Sequence, residues 1–256
     1  MAFTDKTITT EHGEIFIREW NPHFIDLSPI VLIHDSLGCT ELWRNFPSEL
    51  SEITKRRVIA YDRLGFGKSG VMHKPISKQF ISDEASNTFS NILQHLGIGH
   101  FVVLGHSVGG GMALHCAAQL PERCDAVITI SAQSFVEERT LNGIRVAQTL
   151  FNDPAQVDRL KKYHGEKAQW VLDSWIHTWL ADSFSNWSLS EMLANVKAKL
   201  LVIHGVDDEY GSMEHPQRIV DLSGGKSILM PLENTAHFPH REQTPIVLDA
   251  IKNFLD

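Results

Sequence analysis

Cysteine is scarce in this chain: Cys39, Cys116 and Cys124 are the only three among 256 residues, an odd number without metal-ligand spacing. That argues against a disulfide framework or a metal module, and it predicts a reducing, cytoplasmic setting. Cys116 falls on an apolar helix face, where a thiol is inert packing. Long apolar runs are missing too. No stretch approaches the roughly 20 residues of a membrane-spanning helix. The opening MAFTDKTITTEHGE is polar, which predicts no signal peptide and no membrane association. Basic runs are absent: the net charge is −8 and the pI near 5.9, so nucleic acid is not the expected partner. Internal repeats and low-complexity tracts are absent as well. What is present, 43% hydrophobic and 21% charged residues, suits one α/β domain large enough to carry an inserted segment.

The most informative stretch runs from His100 to Leu120, HFVVLGHSVGGGMALHCAAQL. Phe101 to Leu104 reads as a buried parallel strand. Met112, Ala113, Cys116, Ala117 and Leu120 then recur at helical spacing. Between them Gly105-His106-Ser107-Val108-Gly109 is a Gly-x-Ser-x-Gly turn in the strand–helix context of a nucleophile elbow. The turn is so tight that side chains at Gly105 and Gly109 would collide with neighbouring elements. Ser107 is held in a strained conformation with its hydroxyl projecting outward. The following helix N-terminus supplies free N–H groups where an oxyanion would form. A glycine-rich turn ahead of a helix is also what phosphate-binding loops use, so the elbow reading depends on finding its partners.

Along the chain, Thr7 to Thr9 and Ile15 to Trp20 read as a hairpin around Glu11-His12-Gly13. Pro29 to His34 and Arg57 to Tyr61 read as buried strands. Thr40 is expected to cap a helix bearing Leu42, Trp43, Phe46 and Leu50, made irregular by Pro47. A long amphipathic helix follows, with Ile81, Ala85, Phe89, Ile92, Leu93 and Leu96 on one stripe and Gly97 as its stop. Pro121 ends the elbow helix, and Ala126 to Ser131 is one more strand. Strand–helix alternation resumes at Lys199 to His204, a helix around Arg218 to Leu222, Ser227 to Leu232, and a closing helix from Ile246 to Leu255. This rhythm predicts a mostly parallel sheet flanked by helices. Between Ser134 and Val196 only helical pieces occur, with Leu172, Trp175, Ile176, Trp179 and Leu180 on one face. The expected organisation is therefore a core of residues 1–133 and 197–256 with a helical cap, 134–196, between two late strands.

A serine hydroxyl becomes a useful nucleophile when a base takes its proton and a third group orients that base. Asp207 and Asp208 follow the strand ending at His204-Gly205, and His237 follows the strand ending near Leu232, giving the order Ser, Asp, His. His106 sits inside the elbow and suits packing or loop bonding. His34 ends a strand and suits holding the loop after it, and His204 suits the core. His240 competes with His237 but falls at the start of the last helix. Neighbouring side chains on an extended backbone point in opposite directions, so only one of Asp207 and Asp208 can face His237.

At these residues the sequence resembles the α/β-hydrolase superfamily over nearly its whole length. His34-Asp35-Ser36-Leu37-Gly38 is similar to the His-Gly-x-x-Gly oxyanion loop, with Asp35 standing where glycine is usual. Tyr61 to Ser69, YDRLGFGKS, is similar to the turn after the next strand and is architectural. Gly205-Val206-Asp207-Asp208 matches the Gly-x-x-Asp acid loop, and Ala236-His237-Phe238-Pro239 resembles the histidine loop. The resemblance implies the α/β-hydrolase fold, Ser107, Asp208 and His237 as catalytic residues, and the backbone N–H groups of Ser36 and Val108 as the oxyanion hole. It implies no metal and no cofactor. A serine at the elbow argues against haloalkane dehalogenases and epoxide hydrolases, which resemble the chain but use aspartate there. The expected function is hydrolysis of a small carboxylic ester or related acyl substrate through an acyl-enzyme. Carbon–carbon bond hydrolysis of a diketone-like compound, or a small-molecule receptor on the same fold, are the alternatives. Trp175 and Trp179 are candidates for an apolar acyl pocket, or else a small helical core of their own.

Overall fold

The computed structural model describes residues 3–72 and 74–256; Met1 and Ala2, which open the polar first segment, lie outside them. β1 (Phe3–Thr10) and β2 (Gly13–Trp20) form the antiparallel hairpin. β3 (Ile30–Ile33), β4 (Val58–Tyr61), β5 (Phe101–His106), β6 (Cys124–Ile130), β7 (Lys199–Gly205) and β8 (Ser227–Leu232) complete one eight-stranded sheet in the order β1-β2-β4-β3-β5-β6-β7-β8. β2 joins β4 antiparallel, and all pairs from β4 to β8 are parallel. β3, β4 and β5 are buried along their whole length. That is why they read as continuous apolar runs rather than alternating ones.

Alternate residues of each strand feed two separate cores, as the two-residue period of a strand requires. Val31, Ile33 and Val103 pack on one face, while Ile30, Leu32, Val102 and Leu104 pack on the other. The second face is covered by α1 (Phe46–Thr54) through Phe46 and Leu50, together with Val247, Ile251 and Leu255 near the C-terminus. The first face takes α2 (Phe80–Glu84), α3 (Ser90–His95) and α4 (Val108–Gln119), the last through Met112, Ala113, Cys116 and Ala117. All three cysteines are buried and free.

Two expectations need correction. The helix after Thr40 is split: Thr40–Trp43 is a short 3-10 turn, and α1 starts afresh at Phe46. Pro47 lies in the first turn of α1, where its missing N–H has no intrahelical partner to lose. Thr40 makes no side-chain cap; its backbone N–H instead donates to Asp62 Oδ1 at 2.6 Å. The long amphipathic helix is interrupted too, because α2 and α3 are joined by a π-helical turn over Ala85–Phe89. Its stripe still reaches the core, with Ile81, Ala85, Phe89, Ile92 and Leu93 all buried.

Between β6 and β7 the chain is mainly helical: α5 (Glu138–Leu150), α6 (Pro154–His164), α7 (Ala168–Trp179) and α8 (Ser190–Leu193), with short 3-10 turns on either side of α7 and an isolated antiparallel bridge between Phe135 and Ser188. Its apolar residues Ile144, Leu160, Val171, Leu172 and Trp179 belong to the same cluster as the α4 face of the sheet. After β7 come α9 (Glu214–Leu222), α10 (Pro239–Glu242) and α11 (Thr244–Leu255). No described helix is long and apolar enough to cross a membrane.

Candidate active site

Ser107 sits between β5 and α4 with φ 57° and ψ −127°, a left-handed conformation that costs a non-glycine residue about 1–3 kcal/mol. The backbone is held there by its neighbours: Ser107 N–H donates to Ile130 O (2.8 Å) and Ser107 O accepts from Gly110 N–H (2.8 Å). A Cβ on Gly105 would stand 2.5 Å from the Gly110 nitrogen, and one on Gly109 would stand 2.7 Å from His34 O. Only glycine fits at either position, which is the physical content of the Gly-x-Ser-x-Gly pattern. The Ser107 hydroxyl donates to Gln133 Oε1 at 3.3 Å.

The loops after β7 and β8 meet at the same edge of the sheet, where parallel α/β sheets gather their sites. Asp208 is fully buried, and its two oxygens lie 2.9 and 2.8 Å from His237 Nδ1. A carboxylate only accepts, so Nδ1 carries the hydrogen and Nε2 keeps a free lone pair. Tyr210 N–H fixes Asp208 Oδ1 at 2.7 Å. Burial pulls the His237 pKa down, but the Asp208 carboxylate outweighs it and the net shift is upward. For Asp208, burial acts upward and the His237 pairing outweighs it, so its carboxyl titrates below the usual range. Asp207 is exposed; its N–H donates to Thr235 O at 3.0 Å, which ties the two loops together.

The other histidines sort by their contacts. His240 is buried among Trp43, Phe46 and His106 rather than facing the cavity. His204 Nε2 lies 3.2 Å from the Gly211 carbonyl, to which it donates. His34 Nε2 accepts from Arg63 N–H at 3.1 Å, holding the loop that follows β3.

In front of Ser107 is a cavity of about 140 Å³, comparable to one that holds benzene. Ser36, Ser107, His237, Trp175 and Trp179 all line it. Val108 does not: its side chain is buried in the core and only its backbone N–H, at the start of α4, is turned to the Ser107 end of the helix. Trp179 is 3% exposed and packs edge-on against Phe184 and Trp187, so it serves the helical core and the cavity wall together. Trp175 is half-buried, against Tyr210.

Sequence reading missed several lining residues: Asp35, Gln133, Thr140, Ile144, Glu209, Tyr210 and Phe238. Gln133 had a usable signal, since it lies just past the C-terminal end of β6. Thr140 and Ile144 had none, because their place depends on how α5 packs over the sheet. Among the described residues no three His, Cys, Asp or Glu side chains are grouped so as to hold a metal ion.

Residues 28–164 match a family model described as alpha/beta hydrolase fold. The chain is 30% identical over 115 residues to a (lyso)-N-acylphosphatidylethanolamine lipase of Bos taurus, a match covering 45% of this chain and 33% of that protein. The chain thus spans about a third of that relative's length. It is 28% identical over 219 residues to a 2-hydroxy-6-oxononadienedioate/2-hydroxy-6-oxononatrienedioate hydrolase of Burkholderia vietnamiensis, covering 75% of this chain and 74% of that one. Among solved structures, a membrane phospholipase A superposes with a TM-score of 0.82 at 19% identity, covering 99% of this chain and 86% of that one. With an elbow serine at the centre of a mostly parallel eight-stranded sheet and a family model matching more than half its length, this chain belongs to the alpha/beta hydrolase fold family.

Proposed function

We propose that this protein is a serine hydrolase that cleaves a small carboxylic ester or related acyl compound. The observation that carries this reading is the buried Asp208–His237 pair opening onto the cavity that also holds Ser107 in its strained turn. His237 Nε2 takes the Ser107 proton as Oγ attacks the substrate carbonyl, and Asp208 stabilises the imidazolium. For this the Ser107 hydroxyl turns from Gln133 to His237; catalytic hydrogen bonds are often incomplete before substrate arrives. The N–H groups of Ser36 and Val108 receive the oxyanion. His237 then protonates the leaving alcohol, and water, activated by the same imidazole, releases the acid. Residues 134–196 act as the cap, with Trp175 and Trp179 contributing the apolar wall of the acyl pocket. Small acyl groups fit the cavity's size.

Hydrolysis of a carbon–carbon bond with the same three residues is the second reading. It is favoured by the match to the hydrolase from Burkholderia vietnamiensis, which covers 74% of that protein and whose named substrates are dioates. Against it, the described residues that line the cavity include Asp35 and Glu209 but no lysine or arginine to receive a substrate carboxylate.

Ser107→Ala is the test, assayed across esters of graded acyl length and on a vinylogous diketone. Loss of at least about 10⁴-fold in kcat is expected, because members of such a triad act as a unit. A folded Ser107→Ala protein that keeps a substantial share of the wild-type rate removes the nucleophile assignment. Tight binding of a ligand with no multiple turnover would favour a receptor instead.

A further inference from the structure

Asp35 stands in the loop after β3, and His106 immediately precedes Ser107. His106 is 1% exposed. Its Nε2 lies 2.8 Å from the backbone carbonyl of His237, and its Nδ1 lies 3.2 Å from Asp35 Oδ2. The other Asp35 oxygen accepts the Leu37 N–H at 2.9 Å. A carbonyl can only accept, so Nε2 carries a hydrogen. If His106 were neutral, Nδ1 would then be a bare lone pair facing a carboxylate, which is also only an acceptor. That contact is repulsive in a buried site. A hydrogen must therefore lie between Nδ1 and Oδ2, either as imidazolium against carboxylate or as carboxylic acid against imidazole.

We propose that Asp35 and His106 share one proton as a positioning pair that ties together the loop bearing Ser36, the turn bearing Ser107 and the loop bearing His237. One hydrogen-bonded path then runs from the Leu37 amide through Asp35 and His106 to the His237 carbonyl. It joins the loop that supplies an oxyanion donor to the loop that supplies the base. The groups facing the pair are few. His237 and His240 stand with ring centroids 5.0 and 4.7 Å from that of His106, and Trp43 and Phe238 complete its surroundings. Asp35 feels His34 and Arg241, while Arg63 and His34 bond to its backbone carbonyl rather than its carboxylate. Burial pulls the His106 pKa below the ordinary value against the opposing pull of Asp35; burial acts upward on Asp35, but the facing His106 outweighs it and Asp35 titrates below the ordinary carboxyl range. The shared proton is lost as pH rises through the lowered His106 value, and the two acceptors then repel and the three loops loosen.

The kinetic arm of the test rests on the serine-hydrolase reading; the spectroscopic arm needs no substrate, so the two can fail separately. Asp35→Asn is the decisive variant. Its amide can donate Nδ2–H to His106 Nδ1 and accept Leu37 N–H at Oδ1, keeping the path without an ionisable proton. Asp35→Ala removes the path. In ring-15N-labelled protein held at a pH below the lowered His106 value, with the His106 signals identified by their loss in His106→Gln, wild type should show hydrogen on Nε2 and a shared hydrogen at Nδ1. Asp35→Asn should show hydrogen on Nε2 and a bare Nδ1. For kinetics, Asp35→Ala should lower kcat by about ten- to a hundredfold with little change in KM, the scale attached to misplaced reacting groups. Asp35→Asn should recover most of that loss. A bare Nδ1 in wild type opposite an ionised Asp35 at that pH would overturn the shared proton. An Asp35→Asn protein as slow as Asp35→Ala would overturn the positioning role.

Discussion

Gly205 ends β7, directly before the turn that carries Asp208, and the chain approaching His237 passes over it. A Cβ at Gly205 would stand 2.8 Å from the Thr235 carbonyl carbon and closer still to the Thr235 and Ala236 oxygens. Ordinary contact begins at 3.4 Å, so Gly205→Ala drives the 235–236 segment back by at least 0.6 Å. The neighbour is backbone, already fixed by the Asp207 N–H on Thr235 O, and cannot swing aside as a side chain would. His237 is two residues further on, and its Nδ1 must stay within reach of Asp208. Misplacing reacting groups by about 1 Å can cost about 10²-fold, so a loss of at least about tenfold in kcat is expected. Overpacking of this kind also costs about 1–3 kcal/mol of stability. The assay pairs kcat on one ester with urea unfolding, and uses Gly99→Ala as the comparison. A Cβ on Gly99 meets nothing within 4 Å, so that variant should keep both rate and stability. A Gly205→Ala protein with wild-type kcat would show that the two loops move independently, and the close-approach argument would be wrong.

Asp208→Asn should lower kcat by at least about 10²-fold and the exposed Asp207→Asn by less than about tenfold, since only the first misassigns the His237 tautomer; the reverse order would move the role to Asp207. The proposed mechanism requires neutral His237, whose pKa is raised, so kcat/KM should fall as pH drops through a value above the ordinary histidine 6.5. In Asp208→Asn, burial is opposed only by the weaker pulls of Glu209 and Asp35 and that limb should move to lower pH, which a profile over roughly pH 5 to 9 would reveal. Trp175→Ala should change the ranking of acyl chain lengths with little loss of stability, because Trp175 is half-buried at the cavity wall. Trp179→Ala should unfold more easily by about 3–5 kcal/mol, the cost of emptying a packed tryptophan site, and equal rate losses on all chain lengths for Trp175→Ala would argue against a pocket role.

The sequence alone carried the strand–helix order, because parallel strands buried on both faces must be written as unbroken apolar runs, and Val31, Ile59 and Val103 lie in such runs. It also carried the elbow, since the glycines at 105 and 109 are demanded by backbone atoms only a few residues away or at the end of β3. The breaks at Pro47 and Ala85–Phe89 were not equally legible. Pro47 is compatible with a kinked helix or a new one, and a π-turn leaves the apolar spacing nearly unchanged. Tertiary structure decided what depends on pairs distant in the chain. Asp208 rather than Asp207 faces His237 because the loop after β7 turns one carboxylate inward, and that direction is set by packing against Tyr210 and the 235–237 segment. Gln133, Asp35 and His106 acquire their partners in the same way. A hydrogen bond between residues 71 or 131 positions apart leaves no periodicity in either segment, so only the folded chain could reveal it.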